Sequence, residues 1–184
     1  MTLTPPDPLD AFLIAATVPR EGAHADGTIA RAESIRAAHP GVATASIHAA
    51  AVLGDARTLA RFLSADPSAA TTQGGPHGWD PLTHLCFSNY LKLDRSRSDG
   101  FVRAATALLD AGADPNTGFL EPGHEPTPTF ESALYGACGV AHHAPLTALL
   151  VARGADVNDD EVAYHSAEGY DNAALEALVA CGRL

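Results

Sequence analysis

The phrase Ala-Gly-Ala-Asp-Pro-Asn at 111–116 constrains the fold more than any other stretch of this chain. It follows a run at 101–110 in which Ala105, Leu108 and Leu109 recur at three- and four-residue spacing, making one apolar stripe of a helix. Gly112 stands where helices end in a left-handed residue, a conformation glycine adopts without a Cβ penalty. Pro115 forbids any continuation. The phrase returns within 149–158 as Leu-Leu-Val-Ala-Arg-Gly-Ala-Asp-Val-Asn. A chain that writes the same helix ending twice is built from repeated units.

Two weaker copies extend the series. Residues 46–51 open a short helix that stops at Gly54, and Asp55 caps a second one that closes at Ala65-Asp66-Pro67. A last copy runs from Glu161 through the apolar stretch 173–180 to Gly182. Overlaid, the second helices place Leu59/Phe62/Leu63, Ala105/Leu108/Leu109, Leu146/Leu149/Leu150 and Leu175/Leu178/Val179 in equivalent positions. Ahead of them, helices are predicted at 8–18, capped by Asp7 with Leu9, Phe12, Leu13 and Ala16 buried, and at 28–38. Repetition on this scale marks units that cannot bury their apolar faces alone.

The function classes left open are narrowed by charge. A net charge of -11 argues against a nucleic-acid backbone or an anionic membrane as partner. Cys86, Cys138 and Cys181 are far apart and odd in number, the pattern of reduced thiols and a cytoplasmic protein. The N-terminal residues do not read as a signal peptide, and the apolar runs are too short to span a membrane.

The units open on Ser46-Ile47-His48, Asp80-Pro81-Leu82-Thr83 and Ser132-Ala133-Leu134, and two close on Gly-Ala-Asp-x-Asn. In these openings and closings the chain resembles the ankyrin repeat family. The resemblance implies an all-α, ankyrin-like solenoid of stacked helix-turn-helix units in a single domain, 1–184. Within it, 8–40 is a degenerate capping unit and 45–67, 80–116, 131–158 and 160–182 are repeats. Aligning His48 with Thr83, Tyr135 and Tyr164 gives spacings of 35, 52 and 29 residues, against about 33 for the family. The excess lies in two insertions. One, 89–99, gathers Lys92, Arg95 and Arg97; the other, 117–130, falls where the family places a hairpin finger, and its Phe119 and Leu120 have no evident helix to face.

The resemblance implies a non-catalytic protein–protein interaction scaffold that binds another protein and needs no cofactor. Expected contact residues are His77, Trp79 and Asp80 on one finger, Phe119, Leu120 and His124 on the long one, and Val52, Leu53 and Phe87 along the inner helices. The alternative is a small metal-dependent or Cys/His hydrolase using Cys138, His142 and His143. A zinc site needs three or four converging ligands, which no local spacing here supplies. His142-His143 reads instead as the polar turn between paired helices, where Asp55 and Asp171 stand in other units. His48 is expected to be structural, and the glycines at 74–78 a turn. The last helix, 171–181, is apolar on too many sides for the end of a stack. Self-association or further repeats at that end are the expectation.

Overall fold

The structure, a computed structural model, describes residues 7–19, 27–121, 128–169 and 172–180. Most of its short helices begin on side-chain caps, each satisfying an amide that the helix cannot; those at Ala30–Ala38, Ser98–Asp110 and Ala173–Val179 do not. Asp7 caps α1 (Pro8–Ala16), which is followed by α2 (Ala30–Ala38). Ser46 caps α3 (Ile47–Val52), Asp55 caps α4 (Ala56–Ala65) and Asp80 caps α5 (Pro81–Cys86). Ser88 caps α6 (Asn89–Leu93), and α7 (Ser98–Asp110) follows. Two strands, β1 (Gly118–Glu121) and β2 (Thr129–Ser132), precede α8 (Ala133–Tyr135), which widens into a π turn at Gly136–Val140. The chain ends in α9 (Ala144–Ala152), α10 (Asp160–His165) and α11 (Ala173–Val179).

The helices form two rows. In one, α3 packs on α5 and α5 on α8; in the other, α4 packs on α7, α7 on α9 and α9 on α11. The core between them is filled by Leu59, Leu82, Leu85, Phe101, Leu108, Leu134, Leu146 and Leu150, all fully or almost fully buried. Helices α1 and α2 pack on each other, and α1 leans on α3.

Caps and helix ends set a register that differs from the expected one. Ser46, Asp80 and Ser132 accept from the amides of Ala49, Thr83 and Tyr135, and Asp159 from Glu161 and Val162. The counterparts of Thr83 are therefore Ala49, Tyr135 and Val162, not His48 or Tyr164. The repeated phrase supplies the same correction for the second helices. Gly112 and Gly154 turn left-handed at φ +98 and +99. Beyond them the Ala113 amide donates to the Leu108 carbonyl and the Ala155 amide to Leu150, both at 3.0 Å. Leu108 thus matches Leu150, which is fully buried, while Leu149 is half-buried. The closing asparagine ties one turn to the next: Asn116 donates to the Gly154 carbonyl (3.3 Å) and accepts from the Asp156 amide (2.8 Å).

The expectation of an all-α, ankyrin-like solenoid does not hold. Strands β1 and β2 form a two-stranded antiparallel sheet, with Gly118 opposite Ser132 and Glu121 opposite Thr129. The chain is mostly helical but mixed, and its helix pairs are unequal. The stretch from Ser132 to His143 is longer than its counterpart from Ser46 to Asp55, and the π turn absorbs the excess.

The basic insertion is a packed element. Asn89, Tyr90 and Leu91 are buried. Asn89 donates to the Thr17 carbonyl (2.7 Å), the Tyr90 hydroxyl donates to Glu33 (2.5 Å), and Ser88 donates to the Val52 carbonyl (2.5 Å). Arg97 lies 5.0 Å over the Tyr90 ring and bonds Asp94 and the Leu53 carbonyl, while Arg95 reaches the Ala141 carbonyl at 2.7 Å. Two of the three expected basic groups are therefore engaged with neighbouring backbone. No helix among the described residues is long and apolar enough to cross a membrane. At the C-terminal end, α11 buries Ala174 and Leu178 and leaves Val179 exposed.

The register carries a test in denaturant unfolding. Leu150→Ala should lower stability by about 2–5 kcal/mol, since a fully buried leucine is lost. Leu149→Ala should cost clearly less; the reverse order would restore the rejected alignment.

Candidate interaction surface

The hairpin of β1 and β2 has two faces, because side chains alternate along a strand. Phe119 and Glu131, directly opposite each other, point inward and are buried. Leu120 and Phe130 are the next opposite pair and point outward, 62% and 45% exposed. The inner face is anchored by rings. Phe119 stacks on Trp79 at 4.4 Å and meets Phe87 edge-on at 4.9 Å. Trp79 stacks in turn on His77 at 4.5 Å, and Phe87 meets Tyr135 at 6.1 Å. The hairpin's base is anchored by polarity. The Thr117 hydroxyl donates to the Asp80 carboxylate, and the Ala133 amide donates to the Thr117 carbonyl at 2.7 Å.

The expected contact residues divide accordingly. Leu120 is on the surface. Phe119, Trp79 and Phe87 are core, because they stack on one another beneath the hairpin. Val52 and Leu53 are core, and their carbonyls at the end of α3 are bonded by Ser88 and, from the insertion, by Arg97. Asp80 is a helix cap whose second oxygen holds the hairpin. His77 is half-buried, with Nε2 3.2 Å from the Thr17 hydroxyl. His124 lies outside the described residues. The sequence reading missed Phe130, which pairs with Leu120 across the hairpin, a pairing that no local pattern encodes.

Beside the hairpin lies a cleft of about 560 Å³. Phe130, Pro128, Leu134 and Pro115 supply its apolar lining, and Asp156, Asn158 and Asp159 line it as well. Asp156 accepts from the Asn158 amide at 3.0 Å, and Asp159 caps α10.

The histidines are built into the scaffold. His48 donates from Nε2 to the Thr72 carbonyl (2.8 Å), which holds the loop after α4. His84, fully buried, donates from Nδ1 to the Asp80 carbonyl (3.0 Å), so Nε2 is the unprotonated nitrogen, facing Gly75 in the turn at 75–78. Burial pushes the His84 imidazole down to about 3. His143 caps α9, accepting at Nδ1 from the Leu146 amide (3.1 Å) with Nε2 2.7 Å from the Ser98 hydroxyl. Burial brings it down to about 4. Cys138 is buried, which pushes its thiol up to about 12 and leaves it a poor nucleophile at neutral pH. Among the described residues no three His, Cys, Asp or Glu side chains are grouped to hold a metal ion.

No protein-family model matches the chain, and no curated protein matches it either.

The buried imidazoles give a pH dependence. Their folded values lie below the unfolded value near 6.5, so the native state favours the neutral ring. The stability they contribute is present above about pH 6.5 and is lost as pH falls toward 4 and then 3. His143→Asn keeps a capping acceptor and removes one titration. Its unfolding free energy should fall less steeply than wild type between pH 6.5 and 4; equal slopes would place the His143 ring in water.

Proposed function

We propose that this chain is a non-catalytic binding module for another protein, working in the cytoplasm, and that it engages its partner through the outer face of the β1–β2 hairpin. One observation carries the reading. Leu120 and Phe130 stand opposite each other in the open, on a hairpin whose other face is locked into the core. Exposed aromatic and aliphatic side chains held on a rigid support are the form that interface hot spots take, because little ordering entropy remains to be lost on binding. The resemblance of the openings and closings to the ankyrin repeat family supports the same reading, since its members are mostly interaction scaffolds. Cys86 and Cys138 are buried free thiols, which suits a reducing compartment.

The test removes the exposed pair and spares its support. Shortening the whole finger would also remove Thr117 and Phe119, both of which hold the fold. Leu120→Ser/Phe130→Ser should instead leave the unfolding free energy within about 1 kcal/mol of wild type, as surface changes do. Capture of protein from the native lysate should be lost. Capture that persists unchanged in the double variant would sink the proposal.

A further inference from the structure

The cleft beside the hairpin has a chemistry narrower than general adhesion. Phe130 forms one wall and continues the outward patch that begins at Leu120. Pro115 and Leu134 extend that apolar wall inward. Two carboxylates, Asp156 and Asp159, line the same cleft, and none of the described lining residues is a lysine, arginine or histidine. Each carboxylate is fixed through Oδ1, Asp156 by the Asn158 amide (3.0 Å) and Asp159 by the Glu161 amide (2.9 Å). Their second oxygens bond no side chain or backbone group among the described residues. The chain as a whole carries a net charge of -11, so the long-range field favours a cation as well.

From this juxtaposition we infer that the cleft receives an arginine of an extended partner segment, with a bulky apolar neighbour of that arginine resting on Leu120 and Phe130. Arginine fits better than lysine on physical grounds. Its flat guanidinium lies against an aromatic face such as Phe130 while its N–H fork reaches carboxylate oxygens. A volume of about 560 Å³ is ample for that side chain and the backbone beside it. The strand spacing sets the rest. In an extended segment alternate side chains point the same way, so the arginine and an apolar residue two positions from it face the protein at different points of one short run. This inference rests on the hairpin reading above and sharpens it from an apolar contact to recognition of a cationic, apolar-flanked peptide.

The test uses the full chain, labelled with 15N, and two blocked hexapeptides. One carries leucine and arginine two positions apart with serine between them, so that both face one side of an extended chain; in the other, citrulline replaces every arginine and keeps its shape without the charge. The arginine peptide should shift the amides of Asn116, Phe130, Asp156 and Asn158, and the citrulline peptide should bind at least about tenfold more weakly. Asp156→Asn/Asp159→Asn should lose the same factor, because asparagine keeps both turns and the α10 cap while removing the charges. Equal affinity for the two peptides, shifts scattered away from the cleft, or no shift at millimolar peptide would each overturn the inference. A citrulline peptide that binds as well and is lost with Leu120→Ser/Phe130→Ser would leave the hairpin reading standing alone. Unchanged arginine-peptide binding in that variant would remove the apolar half of the proposal.

Discussion

The Asp80 carboxylate joins the two parts of this protein that matter for its proposed role. Through Oδ1 it accepts the Thr83 amide at 2.9 Å and so starts α5. Through Oδ2 it accepts the Thr83 hydroxyl at 3.3 Å and the hydroxyl of Thr117, at the base of the hairpin. A two-stranded hairpin is marginal on its own in water. Here it borrows stability from a helix start that already exists, and Phe119 then seats it against Trp79 and Phe87. The outward display of Leu120 and Phe130 follows from that anchorage, because strand alternation turns this pair away from the face that Phe119 and Glu131 fill.

The same logic explains why polar groups lie so deep. His48, His84 and His143 each bond backbone at a loop or a helix start, so each closes a connection that the short helices cannot close themselves. Asn116 does likewise between successive turns, and Asn89 between the insertion and the residues after α1. A scaffold of short helices has many helix ends, and these side chains answer the unsatisfied amides and carbonyls found there. Of the possible catalytic set read in the sequence, Cys138, His142 and His143, two have evident places in the scaffold. His143 is a cap, and Cys138 is a protonated thiol in the core.

Much of the helical framework was legible because its signals are local. Gly54, Gly112 and Gly154 end their turns in left-handed conformations, Asp55 and Asp80 cap the helices that follow, and the 8–18 and 28–38 helices are present in slightly shorter form. Register was not legible where two adjacent leucines could each fill the buried position. At Leu149-Leu150 only the bond from Ala155 to Leu150 decides between them. The resemblance put a finger at 117–130, but its strands were hidden because they have four residues each and are separated by a proline-rich stretch, which leaves little periodicity to read. Trp79, Phe87 and Phe119 were read as contact residues for a related reason. Their burial comes from one another, at separations in the chain that no local pattern encodes. Leu120 lies at the surface, while the cleft, made of residues from 115 to 159, required the fold.

The central claim is that the hairpin is a fixed part of the scaffold and not a loose loop. Hydrogen exchange of the free protein measures this directly, with the Ala133 amide, which donates to the Thr117 carbonyl, as the reporter. The account predicts protection at Ala133 comparable to that within α5, lowered in Thr117→Val, which removes the hydroxyl held by Asp80. Exchange of Ala133 and of the β1 and β2 peptides at the rates of an unstructured chain, with α5 still protected, would contradict it.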